Sequence, residues 1–496
     1  MSPLGVSVVT GEVPQSGGVS TNTGTVFIVA PANYGPETPQ LVKSLNEVVS
    51  YYGPRESGNT QLYDAANAYF ANEGSRAYVC RVITATGAPA AAKLELETTS
   101  KTKVLVITAK YKGTYGNGIK IELTEASSKT KLVILNPEGE VLESSGEYAE
   151  AKELLAWGEK HTTYVTISKG SNYASGETEL VKKLSSTKLS GGVNPTTTEA
   201  PVKATIEAIA KNLGPGTLIC PGNASAATKA ETEAIHTAMG EHCLKNNRFA
   251  VCDLFEVEKE GVTASALVTN KGTPANAIAG YISFFSTSVT AAGPSTAPST
   301  TRTIVPSGVV AGMFARISRT GNNNQAPAGR NWSLAPFVTG LTNTYSEANM
   351  ETLNSAGINN ITERFGVNCL YGDRTALSPE TDAIFYQYNA ARERMQLVAE
   401  AEEIAEGFLF VTLDGRHQKR AKFQGELEAL IKKHWEAGAL YGLTVGEAGI
   451  VVVGEPVNTP ASEAAGELKA ELIVRLSPVA EAVRITIVSR PIVEAV

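Results

Sequence analysis

The residues best suited to chemistry in this chain are His236, His242, Cys243 and Cys252, together with Asp253 directly after them. Two histidines and two cysteines are a donor set that suits zinc. His236 and His242 are six positions apart in a run that reads as helix (226–245), which turns them to different faces, so a core or solvated role is the plainer reading. Asp253 ends the apolar run Phe249-Ala250-Val251-Cys252, where an α/β enzyme places a catalytic acid. No partner motif accompanies it, and capping a loop is the simpler role. Gly113-Thr114-Tyr115-Gly116-Asn117-Gly118 is glycine-rich but precedes a strand instead of opening a helix, so it offers no phosphate cradle. There is no GxxxxGK[ST] loop and no GxSxG elbow, and His161, His417 and His434 stand alone. Cys80, Cys220 and Cys369 bring the thiols to five, scattered and without a CxxC pair, as expected of reduced core cysteines. The expectation is no catalytic residue, no cofactor and no metal.

The elements around these residues alternate. A helix over 202–213 leads to the strand Gly216 to Gly222, then to the helix over 226–245 and the strand from Arg248, which together make a βαβ unit. Earlier, Thr25 to Ala32 reads as a buried strand, Ser44 and Glu47 have capping-box spacing, 60–72 reads as a helix, and Arg76 to Ile83 as a strand. Between 84 and 200 the chain uses Lys and Glu but neither Arg nor Asp, in short β-rich runs with one helix (148–160), which reads as an insertion. The stretch Val305 to Phe337 sits at the centre. Pro306 fixes its start, Ser307 is placed to cap the next turn, and Gly308, Ala311, Gly312 and Ala315 would let another backbone come close. Gly321-Asn322-Asn323-Asn324 then breaks the helix, and 290–303 reads as a flexible surface loop. Towards the end, 418–437 reads as a helix with basic ends, and Glu471 to Leu476 and Ala482 to Val496 read as a strand pair.

The chain has 496 residues and a formal net charge of −7, enough for several cores and a poor match for nucleic acid or an anionic membrane. No run is long and apolar enough to span a bilayer, and the first residues lack the basic start and apolar core of a signal peptide, so maturation in the cytoplasm is expected. The two ends are unlike the middle. Residues 1–22 hold a strand-forming segment (Val6, Val8, Val9) with no apolar partner nearby, and about 20 extended residues reach roughly 60–70 Å. Val483, Ile485, Ile487 and Val488 form a second alternating segment at the other end.

Several motifs, in order, resemble those of contractile tail sheath proteins, the sheaths of contractile-tailed phages and related injection machines. They are the Pro306-Ser307-Gly308 turn with its small-residue helix ending in Ala315-Arg316, the corner Ala326-Pro327-Ala328-Gly329, and Leu189-Ser190-Gly191-Gly192. Leu353-Asn354-Ser355-Ala356-Gly357-Ile358-Asn359, Gly438-Ala439-Leu440-Tyr441-Gly442 and the turn from Ser477 to Glu481 are similar too. Tyr371-Gly372-Asp373-Arg374-Thr375 stands where the family commonly has Trp-Gly-Ala-Arg-Thr, and Glu393 splits a usual arginine pair into Arg392 and Arg394. The resemblance covers the chain apart from the interior of the insertion.

It implies an α/β core of mixed sheet with flanking helices (23–84 and 201–482), an inserted outer β-rich α+β domain (85–200), and extended terminal β arms (1–22 and 483–496). It implies a non-enzymatic subunit of a virion tail, assembled in the host cytoplasm, polymerising helically around an inner tail tube between baseplate and tail terminator. Contraction from a metastable extended state would drive the tube through the host envelope. Nucleic acid and membrane insertion are not implied. The arms would add strands to neighbouring subunits, and Lys419, Arg420 and Lys422 are candidates for facing the tube. Two alternatives stay open: the sheath of a non-phage contractile injection system or tailocin, and an α/β hydrolase or nucleotide-binding enzyme.

Overall fold

The computed structural model describes residues 21–83, 89–194, 197–225, 228–293, 300–481 and 483–485. Val6, Val8, Val9, Ile487 and Val488 lie outside the described residues.

The molecule is built on an eight-stranded sheet with the spatial order Val367–Tyr371, Ile358–Arg364, Ile282–Phe285, Phe249–Cys252, Thr217–Ile219, Val26–Ala30, Ala77–Arg81 and Gln40–Val42. The inner strands run parallel, and only the two edge strands are antiparallel. Parallel strands covered on both faces read as unbroken apolar runs, which is why Val26–Ala30 and Phe249–Cys252 are buried at every position. Alternate residues feed two cores. Val26, Ile28, Phe249 and Val251 point to the side of the helices Thr60–Ala71 and Pro306–Ser318. Phe27, Val29, Ala250 and Cys252 point to the side of Glu199–Glu207 and Lys229–Asn246.

Helix Pro306–Ser318 is buried along almost its whole length. A Cβ built on Gly308 would lie 2.7 Å from Ala65 Cα, and one on Gly312 would lie 2.8 Å from the Tyr69 carbonyl oxygen. The small residues therefore do allow a second helix, Thr60–Ala71, to close in. Gly312→Val is expected to cost about 1–3 kcal/mol, since backbone cannot yield as a side chain end can. A lowered urea midpoint with unchanged m-value would register it. Ser307 does not cap this helix. Pro306 occupies the first helical position behind Val305, and both the amide and the hydroxyl of Ser307 donate to Asp253, at 3.0 and 2.7 Å. The strand end supplies the acceptor that a capping side chain would otherwise provide.

Residues 92–189 enclose a third core. It lies between a three-stranded sheet (Lys93–Glu97, Lys103–Ala109, Val165–Lys169), a four-stranded sheet (Lys120–Ala126, Lys129–Leu135, Val141–Tyr148, Leu184–Lys188) and helix Ala151–His161. It meets the main sheet through Tyr34, whose ring packs on Tyr111 and Tyr115, and through Arg81, which donates to the Lys112 carbonyl at 2.7 Å.

One expectation changes. The stretch expected to be a surface loop contributes strands Val289–Ala292 and Thr301–Ile304, paired antiparallel and joined by Val338–Leu341. Its β-branched Thr and Val residues suit a half-buried pleated surface, which Ala and Pro in the same stretch obscure. Strand Glu471–Val474 pairs with Gly449–Val452, and most of its expected partner, Ala482 to Val496, lies outside the described residues. Those two strands and helix Gln418–Glu436 form the fourth core, around Phe423, Leu427, Ile431 and Val451. No helix of the described residues is long and apolar enough to cross a membrane.

Candidate functional site

The residues with metal-like spacing do not come together as a site. His236 Nε2 lies 2.9 Å from the Asp253 carbonyl oxygen, while His242 Nε2 lies 2.6 Å from Arg248 Nη1. Burial pulls His236 down to about 4, and burial with the Arg248 and Lys245 charges takes His242 to about 3, so both are neutral packing groups. No group of three or more His, Cys, Asp or Glu able to hold a metal occurs among the described residues. All five cysteines are buried and unpaired. Asp253 is buried, and its Oδ2 also accepts from the Gly222 amide at 3.0 Å. It is therefore spent on closing the carboxyl ends of the strands.

The densest buried polar cluster lies elsewhere, where helix Pro306–Ser318 gives way to its asparagine turn. Asn323 Nδ2 donates to Thr23 Oγ1 at 2.8 Å, and Thr23 donates in turn to Ser318 Oγ at 3.2 Å. Asn324 Nδ2 donates to the carbonyls of Ala439 (3.0 Å) and Ser477 (2.7 Å), and Asn322 Nδ2 to that of Ala437 at 3.1 Å. Adjacent side chains thus hold the beginning and the end of the described chain at one point. A turn of asparagines suits this, because each amide both donates and accepts where backbone groups are left without ladder partners.

Helix Tyr388–Glu406 presents three residues to the same point. Arg392 is wholly buried and lies over the Phe314 ring at 4.3 Å. Its Nη2 donates to the Phe314 carbonyl, Ser318 Oγ and Asn323 Oδ1, at 2.8, 2.8 and 3.0 Å. Glu393, also wholly buried, accepts from the Asn324 amide at 3.1 Å and bonds His434 Nδ1. Glu400 accepts from His434 Nε2 at 3.2 Å and Lys433 Nζ at 2.7 Å. An imidazole with a carboxylate on each nitrogen must carry both protons. Burial presses His434 towards neutrality, but the bonds to Glu393 and Glu400 outweigh it and lift the ring to about 9. Burial likewise raises Glu400, yet the bonds from His434, Lys433 and Gln396 hold it at about 2. The cluster can do no acid–base work at neutral pH, and what it does is fasten the fourth core to the main sheet.

Among the sequence-derived candidates, Val483 and Ile485 are 81% and 82% exposed and follow Glu481, the last residue with a side-chain hydrogen bond among the described ones. Lys419, Arg420 and Lys422 share the start of helix Gln418–Glu436. Arg420 is paired with Glu463 at 2.9 Å and Lys422 with Glu426 at 3.5 Å, while Lys419 is exposed. None of the three touches the junction. The junction residues themselves escaped the sequence reading, in which Asn322 to Asn324 is only a helix breaker. The available signal was a charged Arg-Glu pair in a helix that packs into a core.

At the level of sequence, no family model and no curated protein matches the chain. Solved structures do. The sheath tail protein of Listeria innocua superposes with a TM-score of 0.61 at 15% identity, covering 92% of this chain and 96% of that one. The sheath tail protein of Desulfitobacterium hafniense gives 0.57 at 14% identity, with 90% and 93% covered. The helical sheath of the anti-feeding prophage in its contracted state gives 0.55 at 13% identity, with 98% of each chain covered. The polypeptide has the fold of these sheath proteins over nearly its full length.

Proposed function

We propose that this chain is a structural subunit of a contractile tail sheath, which polymerises helically around an inner tail tube and contracts to drive that tube through an envelope. The observation that carries the reading is the shared fold over nearly the whole chain, in combination with a junction that holds Thr23 and Ser477 at one point. A subunit that must stay tethered while its core changes neighbours needs its tethers anchored in the core, and a pair of adjacent asparagines provides that. In this reading 1–22 and 483–496 are arms, 23–84 with 201–482 is the core, and 85–200 is an outer inserted domain. Among the described residues no further strand pairs with either edge of the two-stranded sheet Gly449–Val452/Glu471–Val474, and Ile450 and Ile473 are half exposed on its open face, which suits the addition of strands from other copies. Each main-chain bond so added contributes only about 0.5–1.5 kcal/mol, and several per arm sum to a durable contact. Tube, baseplate and tail terminator are the partners, and the virion tail is the location.

A non-phage contractile injection system is the second reading. It is favoured by the mutual 98% coverage with the contracted sheath of an extracellular contractile injection system, at a TM-score of 0.53. Against the enzyme reading stands Asp253, which fills the strand-end position with a structural bond to the central helix. Negative-stain microscopy of the expressed chain tests the proposal: long hollow cylinders are expected, and discrete small particles that bind a nucleotide would overturn it.

Lys419 is the residue of the basic group best placed to face a tube. Lys419→Glu is expected to leave empty sheath polymers intact and to abolish sheath formation on tubes. Normal assembly on tubes would remove the group from the contact. Reversing Arg420 as well adds a clash with Glu463, so the single change is the cleaner test.

A further inference from the structure

The last fixed point of the described chain is Glu481. Its carboxylate accepts from Arg374 Nη2 at 2.7 Å, Tyr386 OH at 3.1 Å and Gln387 Nε2 at 2.8 Å. These donors sit at the edge of the main sheet and the start of helix Tyr388–Glu406, so a short run of chain after Ser477 is pinned across the subunit. Val483 and Ile485 beyond it are exposed. Beside this carboxylate lies a second, buried one. Asp373 is 5% exposed, and its Oδ2 accepts from the same Gln387 Nε2, again at 2.8 Å. Two acids thus face each other across one amide, and the arginine between them reaches only one closely: Arg374 Nε is 3.9 Å from Asp373 Oδ1.

We propose that Asp373 is a proton-controlled gate on the Glu481 latch, which holds the root of the C-terminal segment when Asp373 is neutral and loosens it when Asp373 is ionised. The charged and titratable groups around Asp373 are Glu481 on the C-terminal segment, Arg374 beside it in sequence, and Tyr386 and Tyr388 from the helix start. Burial first, and then the Glu481 charge, raise Asp373 to about 6, with Arg374 and Gln387 pulling the other way. Coupling is reciprocal: if Glu481 in place disfavours the ionised Asp373, then ionised Asp373 disfavours Glu481 in place by the same amount. The sign follows. A carboxyl whose value is raised in the latched state binds a proton that the unlatched state releases, so the latch is strongest in mild acid and weakens as pH rises through about 6. The latch concerns the single subunit; its consequence for a polymer, an arm root that swings more freely at neutral pH, rests on the sheath reading above.

Amide hydrogen exchange at Arg475 and Ser477, whose amides donate to the Ala448 and Ala439 carbonyls at 2.9 Å just before the latch, tests the gate in the full-length chain at about pH 5.5 and about pH 8, either side of the titration and corrected for intrinsic rates. Wild type is expected to lose protection several-fold between the two. Asp373→Asn should keep the acidic level of protection at both, and Glu481→Gln should show low protection at both. A wild type equally protected at both pH values overturns the proposal, as does Asp373→Asn showing the wild-type loss, or Glu481→Gln matching wild type throughout. Exchange over 306–318 in the same experiment reports whether each variant is folded. Should Asp373→Asn not fold, Asp373→Ala, which also removes the titrating carboxyl, is expected to show the same pH-independent protection, and a wild-type loss in it would overturn the proposal.

Discussion

Replacing His434 by alanine is expected to destabilise the chain by about 3–5 kcal/mol, the usual cost of removing one partner from a buried ion pair. The loss is large because both flanking acids remain. Glu393 is wholly buried and Glu400 nearly so, and without the imidazolium they repel each other inside the protein. Urea unfolding should show a lower midpoint, or a separate early transition in which the unit around Phe423 and Val451 opens before the main sheet. The same cluster sets a pH window. His434 is raised from its ordinary 6.5 to about 9, so its contribution is complete below about 6.5 and fades as pH rises through about 9. Glu400 is lowered from 4.5 to about 2, so its contribution is complete above about 4.5 and fades as pH falls through about 2. Stability from this source is therefore greatest between about pH 4.5 and 6.5 and falls at the alkaline end first. In His434→Ala the alkaline fall should disappear; if it persists unchanged, another group is responsible.

Deleting residues 483–496 is expected to abolish long polymers altogether while leaving the subunit's unfolding transition where it was. Val483 and Ile485 are exposed, so removing them takes no core contact away. On the sheath reading, the β-branched alternation of Val483, Ile485 and Ile487 suits pairing with another sheet. Deleting residues 1–20 should have the same effect, since Thr23 and its bonds to Asn323 and Ser318 would remain. Sedimentation and microscopy measure polymer length, and a thermal melt measures the subunit. Normal polymerisation of either truncated chain would sink the proposed role of the arms.

Much of the architecture is legible in the residues. Unbroken apolar runs such as Val26–Ala30 and Phe249–Cys252 announce parallel strands, and Ser44 accepts from the Glu47 amide as the capping spacing foretells. The small residues of the central helix also behave as read, because steric room is a local property. The junction was not legible. Glu393 and His434 lie 41 positions apart, and Asn323 and Thr23 lie 300 apart, so no spacing rule connects them. The pairing of Glu471–Val474 with Gly449–Val452 had the same difficulty, since no spacing rule connects the two segments. Ser307 illustrates a milder failure, where the capping group came from a strand end over fifty positions earlier in sequence.

The asparagine turn has a mechanical consequence. Because Asn323 grips Thr23 and Asn324 grips Ser477, a pull arriving at Thr23 reaches Ser477 across a single peptide unit, and on the C-terminal side Glu481 shares that load with the edge of the eight-stranded sheet through Arg374. On the sheath reading proposed above, subunits strung together through such a node would behave as links in a mesh, with tension running from copy to copy along the connectors and entering each folded body only at the asparagine turn and at the sheet edge that holds Glu481.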